Sequence, residues 1–268
     1  KRLLFESLKR NSAAVLNSDD RHYRRFKKLA KSRVISYGIE KKADFRAVDM
    51  KLDINGSRFF MDTPNGLVNL RTPLIGRYNV YNILAAAAFA FAEGISPSIV
   101  NEAISRTGFI KGRMESIEAG QRFRVFVDYA HTYDALKNVL RELRAMCNGN
   151  LIVVFGCGGD RDRSKRPGMG MIASRLADYV FLTNDNPRTE NPEAIIDEIE
   201  SGIRKGFRAY EKVPDRSKAI EKSLLNRGGS DIVVISGKGH ENYQIIGKKK
   251  FPFNDKAAAG KILRRYCV

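Results

Sequence analysis

The stretch LIVVFGCGGDRDRSKRPGMGMIASRLADYVFLTNDNPRTE (residues 151–190) contains the pattern that decides the fold. It includes two short apolar runs, 151–158 and 179–185, which are rich in Val, Ile, Leu and Phe and lack polar alternation. Such runs are typical of strands buried on both faces of a sheet. The segment between them, 169–178, has helical periodicity. A strand, a helix and a second strand in this order predict a parallel pair joined by a crossover helix.

The same alternation continues through the second half of the chain. Two more apolar runs, 123–130 and 231–239, predict buried strands. Further helical periods cover 134–146, 192–206 and 217–228. Pro192 near a helix start and Gly206 after a helix end fit the usual asymmetry of helix caps. The sequence therefore predicts an α/β fold, with a Rossmann-like domain and a parallel-rich sheet in residues 112–268.

Residues 1–111 have a more mixed pattern. Helices are predicted over 1–10, 20–31, 79–94 and 96–106, and strands over 13–17, 33–39, 44–52 and 57–74. The last strand segment carries a Pro-Asn-Gly turn signal. Because the pattern opens without a loop or a start signal, we expect this part to be the end of a domain that begins earlier. The chain would then be a fragment of a longer protein or one part of a split protein.

Composition limits the class of protein. The chain has 268 residues and is 43% hydrophobic, which is enough for two globular domains. No apolar stretch approaches the length of a membrane span, and the N-terminus does not resemble a signal peptide, so we expect no membrane association. The widely spaced cysteines Cys147, Cys157 and Cys267 form neither a disulfide framework nor a metal motif. They favour a reducing compartment, most simply the cytoplasm.

The net charge of +18 has two interpretations. One is nucleic-acid binding, which salt-sensitive DNA binding would support. However, Lys and Arg are spread along the whole chain, and neither an aromatic RNA-binding motif nor a recognition helix is present. The longest basic run, 247–251, predicts a solvated hairpin tip. Anionic small-molecule substrates or a generally basic host proteome explain the charge equally well, and we expect no nucleic-acid partner.

Polar residues and glycines follow each predicted strand of the second half. The groups begin at Asp128, Gly156, Thr183 and Gly237. Because the carboxyl ends of parallel strands meet at one edge of a sheet, the sequence predicts a shared binding site there. The glycines fit neither a dinucleotide fingerprint nor a phosphate-binding loop, but they allow the backbone to approach a ligand closely.

These motifs carry a resemblance to the Mur ligase family. The matching segments in this half are VDYAHTYDAL (127–136), VFGCGGDRDRSKRPGMG (154–170), DNPRTENP (185–192) and ISGKGHENYQ (235–244). Upstream, KRLLF (1–5), LNSDD (16–20), GRYNVYNILAA (76–86) and GRMESI (112–117) are similar to the central domain and its end. The resemblance covers essentially the whole chain. It is to the MurE type, which adds the third amino acid in peptidoglycan precursor synthesis.

The resemblance implies an ATP- and Mg²⁺-dependent amide-bond ligase. Its substrates would be UDP-N-acetylmuramoyl-L-alanyl-D-glutamate and meso-diaminopimelate, joined through an acyl phosphate. Residues 1–111 would be the C-terminal part of the central ATP-binding domain, and residues 112–268 the amino-acid-binding domain. The phosphate-binding loop and the UDP-binding domain of the family are missing from the sequence. We therefore expect no turnover by this chain alone, and expect the missing N-terminal part of the same ligase as its partner.

The sequence D-N-P-R indicates the amino acid added. In the family it marks ligases for meso-diaminopimelate, because an arginine grips the carboxylate at the far end of this amino acid through two parallel hydrogen bonds. The residues carried over for this site are Arg161, Asp185, Asn186, Pro187, Arg188, Gly237 and Glu241. Lysine-adding members lack the arginine. A lysine-adding ligase remains the nearest alternative, and a non-catalytic Mur-like binding module is a second.

The resemblance also implies nucleotide and catalytic residues. For ATP these are Asn79, Asn82, Arg113 and Asp128, with the two asparagines on one helix face near the base. The catalytic candidates are His131, near the phosphates, and Lys1, which would be carbamylated and would hold Mg²⁺. The alternatives are that the asparagines are helix caps and that His131 is structural.

The chain departs from the family at Tyr133, where a proline is usual. A proline would fix φ near −65°, and tyrosine relaxes that constraint. We expect a modest effect on the local loop.

Overall fold

The computed structural model describes residues 2–266 of the chain, which form two compact units. The first unit ends at Gly108 and the second begins at Phe109. Lys1, the predicted carbamylated residue, lies outside the described residues, as does Cys267. No helix within residues 2–266 is long and apolar enough to cross a membrane.

The first unit is a five-stranded sheet with helices against it. Its helices are α1 (Arg2–Ser7), α2 (Tyr23–Leu29), α3 (Arg77–Ala92) and α4 (Pro97–Arg106). Its strands are β1 (Ala13–Asn17), β2 (Arg33–Gly38), β3 (Phe45–Asp53), β4 (Gly56–Thr63) and β5 (Gly66–Thr72). The sheet order follows the chain, with β1, β2 and β3 parallel and β3, β4 and β5 antiparallel. The predicted turn separates β4 from β5.

The second unit is built on the predicted parallel-rich sheet. Its helices are α5 (Tyr133–Met146), α6 (Lys165–Leu176), α7 (Pro192–Glu200), α8 (Arg216–Leu224) and α9 (Asp255–Tyr266). Its strands are β6 (Glu115–Ser116), β7 (Arg124–Asp128), β8 (Leu151–Phe155), β9 (Tyr179–Leu182), β10 (Tyr210–Lys212), β11 (Ile232–Ser236), β12 (Tyr243–Ile246) and β13 (Lys249–Pro252).

The main sheet of the second unit has the order β10-β9-β8-β11-β7-β6, and every neighbouring pair is parallel except β7 with β6. Every residue of the central strands β8 and β11 is buried, which explains their unbroken apolar runs. The structure therefore confirms the predicted Rossmann-like α/β fold. Strands β12 and β13 form a separate antiparallel hairpin, with the predicted basic turn at its tip.

Three features of the second unit differ from the predicted elements. Helix α7 ends at Glu200, so Gly206 is not its cap. The chain turns at Gly202, where a Cβ atom would lie only 1.8 Å from the carbonyl oxygen of Pro167, so the backbone approaches α6 closely. Strand β10 and helix α9 were not predicted. The buried face of α9 contains small residues such as Ala259 and Gly260, which give a weak apolar period.

A buried ion pair joins the ends of two central strands. The guanidinium of Arg216 and the carboxylate of Asp255 are both fully buried and form two hydrogen bonds of 2.7 Å. Arg216 also donates to the carbonyl oxygens of Asn184, just beyond β9, and Ser236, at the end of β11. The pair therefore fixes the two strand ends relative to α8 and α9, which begin at or beside its two members.

We expect Asp255→Ala to destabilise the second unit by about 3–5 kcal/mol, because it leaves the buried Arg216 charge without its partner. Urea denaturation would measure the loss. The control is Glu211→Ala at the exposed Lys222–Glu211 pair, whose side chains are 51% and 37% exposed. That change should cost less than about 1 kcal/mol. Similar small losses for both variants would contradict the role given to the buried pair.

Candidate functional site

A cavity of about 470 Å³ lies in the second unit at the carboxyl edge of its sheet. It is lined by Tyr129, His131, Thr132, Gly158, Arg161, Asp162, Lys165, Asp185, Asn186, Arg188, Gly237, Glu241 and Tyr243. These residues follow β7, β8, β9 and β11, the parallel strands whose ends the sequence predicts to meet. Of the residues predicted to bind diaminopimelate, all except Pro187 line this cavity. Their binding roles stay predictions.

The loop after β9 has an unusual backbone at Arg188. Its φ angle is +53°, in the left-handed region that non-glycine residues rarely adopt. Two backbone hydrogen bonds hold it there: Arg188 N donates to the oxygen of Ile245, at 3.1 Å, and Arg188 O accepts from the N–H of Gly247, at 2.7 Å. The β12–β13 hairpin therefore supports the strained residue.

The guanidinium of Arg188 is only partly occupied by protein contacts. Its Nη1 donates to the carbonyl oxygen of Gly159 at 2.7 Å and more weakly to that of Asn186 at 3.5 Å. Within residues 2–266, its Nε and Nη2 have no hydrogen-bond partner. A guanidinium anchored through one nitrogen can still present its other N–H groups to an anion in the cavity.

Asp185 is a buried carboxylate that accepts no hydrogen bond from the described residues. It is 7% exposed, and its Oδ2 has no hydrogen-bond partner among the described residues. Burial raises the pKa of Asp185, while the charges of Lys238 and Arg216 lower it. Gly237 lies against this carboxylate, with φ at +119° and room for no side chain, since a Cβ atom would lie 2.6 Å from Asp185 Oδ2. A cationic group of a ligand in the cavity would offset the charge of this carboxylate.

Sequence reasoning missed Lys238, which orders the other polar groups. Lys238 is fully buried, and its Nζ donates to Asn186 Oδ1 at 2.9 Å and to Glu241 Oε2 at 3.1 Å. Asn186 Nδ2 in turn donates to Glu241 Oε2 at 2.9 Å. Asn186 Oδ1 also accepts from the N–H of Ile245, which fixes the orientation of its amide. The only sequence signal was its place between two glycines in G-K-G.

Pro187 shapes the site without lining the cavity. A Cβ atom on Gly159 would lie only 1.9 Å from the Pro187 carbonyl oxygen, so the loops after β8 and β9 touch through their backbones. A glycine at 159 is therefore required for this close approach.

The predicted catalytic residue His131 lines the cavity and is exposed. Its Nδ1 lies 2.8 Å from the carbonyl oxygen of Tyr129, and its ring contacts the Tyr129 ring edge-on. Lys165 donates to the carbonyl oxygen of His131 at 2.6 Å. Arg161 is exposed, and its Nη1 donates to the backbone oxygen of Asp160. Both His131 and Arg161 are therefore accessible to a ligand.

Tyr133, the departure from the family motif, is the first residue of α5. Thr132 caps this helix, its hydroxyl accepting from the N–H of Ala135 at 3.3 Å. The position is the first helical one, where proline is favoured because no intrahelical N–H bond is lost. The Tyr133 ring packs beside Gly168. The helix thus starts at the expected place without the proline.

Asp128, at the end of β7, is 3% exposed. Its Oδ1 accepts from the N–H of Ala130 and its Oδ2 from that of Met114, both at 2.8 Å. Burial raises the pKa of Asp128 from its ordinary value of 3.8 to about 6, and these two hydrogen bonds and Arg113 oppose the rise. Arg113 itself is exposed and stacks over the Tyr129 ring at 5.1 Å. Asp128 therefore fixes the chain around Arg113.

Asn79 and Asn82 lie in the first unit, on α3. Asn79 is buried, and its Nδ2 donates to the carbonyl oxygen of Ile75 at 2.8 Å. Asn82 is exposed, and its Nδ2 reaches Asn79 Oδ1 at 3.4 Å. The two side chains share a helix face as expected. The capping alternative is wrong, because the N-cap of α3 is Gly76 and no side-chain hydrogen bond caps the helix; the Asn79 amide donates to a carbonyl oxygen just before it.

The structure does not test the expected Mg²⁺ site. Residues 2–266 contain no group of three or more His, Cys, Asp or Glu side chains that could hold a metal ion. The predicted metal-binding residue, Lys1, lies outside this range. The metal assignment stays a prediction.

Family models match both units of the chain. The Mur ligase middle domain matches residues 1–90, and the Mur ligase glutamate ligase domain matches residues 112–239. The chain belongs to the Mur ligase family.

Within the family, the chain is similar to ligases named for diaminopimelate. It is 42% identical over 265 residues to the UDP-N-acetylmuramoyl-L-alanyl-D-glutamate–2,6-diaminopimelate ligase of Geobacillus thermodenitrificans. The match covers 97% of this chain and 54% of the relative. The chain therefore spans about half the length of the curated relatives it matches.

Solved structures share the fold. A structure of a UDP-N-acetylmuramoyl-L-alanyl-D-glutamate–2,6-diaminopimelate ligase matches with a TM-score of 0.64 and 36% identity, over 98% of this chain and 55% of the other. A crystal structure of MurF ligase from Thermotoga maritima in complex with ADP matches with a TM-score of 0.68 and 14% identity, over 98% of this chain and 55% of that one. At that identity the second likeness concerns the fold alone.

The raised pKa of Asp128 predicts a pH dependence of stability. Between about pH 4 and pH 6, the folded chain holds a proton that the unfolded chain has released, so raising the pH through this window removes stability. We expect the stability advantage of the wild type over Asp128→Ala to shrink by about 2–3 kcal/mol from pH 4 to pH 7. Urea denaturation of both proteins across this range measures it. An advantage that grows with pH would contradict the assignment.

Proposed function

We propose that the chain is part of an ATP-dependent ligase that adds meso-diaminopimelate to UDP-N-acetylmuramoyl-L-alanyl-D-glutamate. The observation that carries the proposal is a cavity in which a partly free guanidinium, Arg188, lies with two carboxylates, Asp185 and Glu241. Diaminopimelate carries an α-amino-carboxylate group at each end, and lysine carries only one. A site with both signs of charge suits the second group. The likeness to ligases named for diaminopimelate supports the same substrate.

In this proposal Arg188 binds the far carboxylate, and Asp185 and Glu241 accept from the far ammonium. Arg161 and Asn186 add donors on the cavity wall, and Gly237, which has no side chain, lets the Asp185 carboxylate lie against the backbone. Held at its far end, the amino acid keeps its other amine free for reaction. This amine attacks the activated carboxyl carbon, an amide bond forms, inorganic phosphate leaves with the electron pair, and the nitrogen loses a proton.

ATP, when bound, supplies the phosphoryl group that activates the D-glutamate side-chain carboxylate as an acyl phosphate. We assign residues 1–111 to the ATP-binding domain and residues 112–268 to the amino-acid-binding domain. Exposed Arg113 and Asn82 have side-chain groups available to a nucleotide, and Asp128 positions the chain beside Arg113. His131 and Lys165 would lie near the transferred phosphoryl group.

The remaining partners follow from the same proposal. The chain would act together with the N-terminal part of the ligase, which would supply the UDP-binding domain and the phosphate-binding loop. The reaction would take place in the cytoplasm, in keeping with the free, buried thiols of Cys147 and Cys157.

The test is binding of meso-diaminopimelate to the chain. We expect Arg188→Ala to weaken this binding by about 2–4 kcal/mol, because the ligand carboxylate loses its charged partner. Isothermal titration calorimetry measures the loss, and binding of an adenine nucleotide should be nearly unchanged. L-lysine, which lacks the far carboxylate, should bind the wild type weakly and be insensitive to the substitution.

A matched control is Arg175→Ala. Arg175 is an exposed arginine of α6 that does not line the cavity, so its loss removes the same charge from the same unit. It should leave meso-diaminopimelate binding unchanged. Equal losses from the two substitutions, or equal losses for diaminopimelate and nucleotide in Arg188→Ala, would show that the loop has only a structural role. Failure of the wild type to bind meso-diaminopimelate would overturn the substrate assignment.

A further inference from the structure

Arg166 is a buried cation that the proposed reaction does not use. It lies in the first turn of α6 and is fully buried. Its Nη1 and Nη2 donate to the two carboxylate oxygens of Glu190 at 2.8 and 2.9 Å, and its Nη1 also reaches Glu198 at 2.8 Å. Burying an arginine this completely is costly unless partners compensate it. These contacts position other parts of the second unit.

The contacts of Arg166 converge on the segment after β8. Its Nη2 donates to the carbonyl oxygen of Gly158 at 3.3 Å. Its partner Glu190 accepts from the N–H of Asp160 through Oε1 at 2.6 Å. The residue between them, Gly159, provides the carbonyl oxygen that accepts from Arg188 Nη1 at 2.7 Å. The acceptor that orients the Arg188 guanidinium is therefore held on both of its sides by the Arg166–Glu190 pair.

Other contacts join the same two loops. Asp160 accepts from the Thr189 hydroxyl at 2.8 Å, and the N–H of Gly159 donates to the oxygen of Asn186 at 2.9 Å. Both contacts use the loop that carries Arg188. The Arg166 contacts to Glu190 also persist at neutral and mildly acidic pH, because hydrogen bonding to Arg166 lowers the pKa of Glu190 to about 2. A lowered pKa means that the pair is intact above ordinary carboxyl pKa values and is lost only as the pH falls towards 2.

We infer that Arg166 is a positioning residue that orients Arg188 for the far carboxylate of the incoming amino acid, through Glu190 and the carbonyl of Gly159. The inference rests on the proposed function and extends it from the residue that touches the ligand to the one that fixes its geometry. Arg166 makes no contact with the ligand in this account. Its loss therefore affects recognition of the far carboxylate and does not affect binding of the rest of the amino acid.

The test is a double-mutant cycle on meso-diaminopimelate binding. We expect Arg166→Met to raise the dissociation constant about tenfold or more in the wild type. In the Arg188→Ala background it should raise the constant by less than about twofold. The same substitution should leave L-lysine binding unchanged, because lysine has no far carboxylate. Arg166→Lys should not rescue binding, since an ammonium cannot make the paired contacts of a guanidinium.

A matched control and a second variant complete the design. Arg163→Ala removes an exposed arginine at the end of the loop after β8, whose side chain bonds Glu198 but neither Glu190 nor Gly159, and it should leave binding unchanged. If Arg166→Met does not fold, Glu190→Gln decides the question, because it weakens the same contacts at a partly exposed residue. The inference would be overturned if Arg166→Met weakened binding by the same factor with and without Arg188. It would also be overturned if the substitution weakened binding of meso-diaminopimelate and L-lysine equally.

Amide hydrogen exchange of the ligand-free chain separates this inference from the proposed function. Arg166→Met should speed exchange at Asp160, whose N–H is bound to Glu190, by about tenfold, and Arg163→Ala should not. If exchange responds but the wild type binds no meso-diaminopimelate, the proposed function fails while the positioning of the loop stands. Unchanged exchange at Asp160 would overturn the positioning role itself.

Discussion

The candidate site depends on the buried guanidinium of Arg216. It binds Asp255 and also holds the carbonyl oxygens of Asn184 and Ser236, which close β9 and β11. The next residues along the chain are Asp185 and Gly237, which lie against each other at the edge of the cavity. Because parallel strands leave their last carbonyl groups without partners in the adjoining loops, a buried donor at this edge satisfies them and sets the spacing of the loops.

Charge in the second unit is arranged in layers. Fully buried cations, namely Arg166, Arg216 and Lys238, bind the carboxylates and carbonyls of the loops and do not line the cavity. The side chains that do line it, such as Arg188 and Glu241, keep some of their hydrogen-bonding groups free. A rigid, charge-balanced support below an incompletely satisfied surface reduces the reorganisation needed when a polar ligand binds. This arrangement explains why so many charged residues surround one small cavity.

Much of the fold could be predicted from the sequence, and some of the site could not. Strands β8 and β11 are buried on both faces, so their apolar runs are unambiguous, and the strand-end rule then brings the loops together. Helix α9 escaped prediction because its contact face is made of small residues. The roles of Arg166 and Lys238 could not be read either, because long basic side chains are ordinarily exposed and only tertiary contacts show that these are buried. The motif resemblance identified the candidate ligand-binding residues, and the structure showed which buried residues hold them in place.

The left-handed backbone at position 188 constrains which residues can replace the arginine there. A β-branched replacement for the arginine would meet backbone strain as well as the loss of its charge, whereas glycine or asparagine would tolerate the conformation. Neutral drift at this position is therefore restricted to a few residue types while the β12–β13 hairpin holds the loop. The residue type at position 188 and the conformation of the hairpin therefore depend on each other, since the hairpin holds this backbone through Ile245 and Gly247.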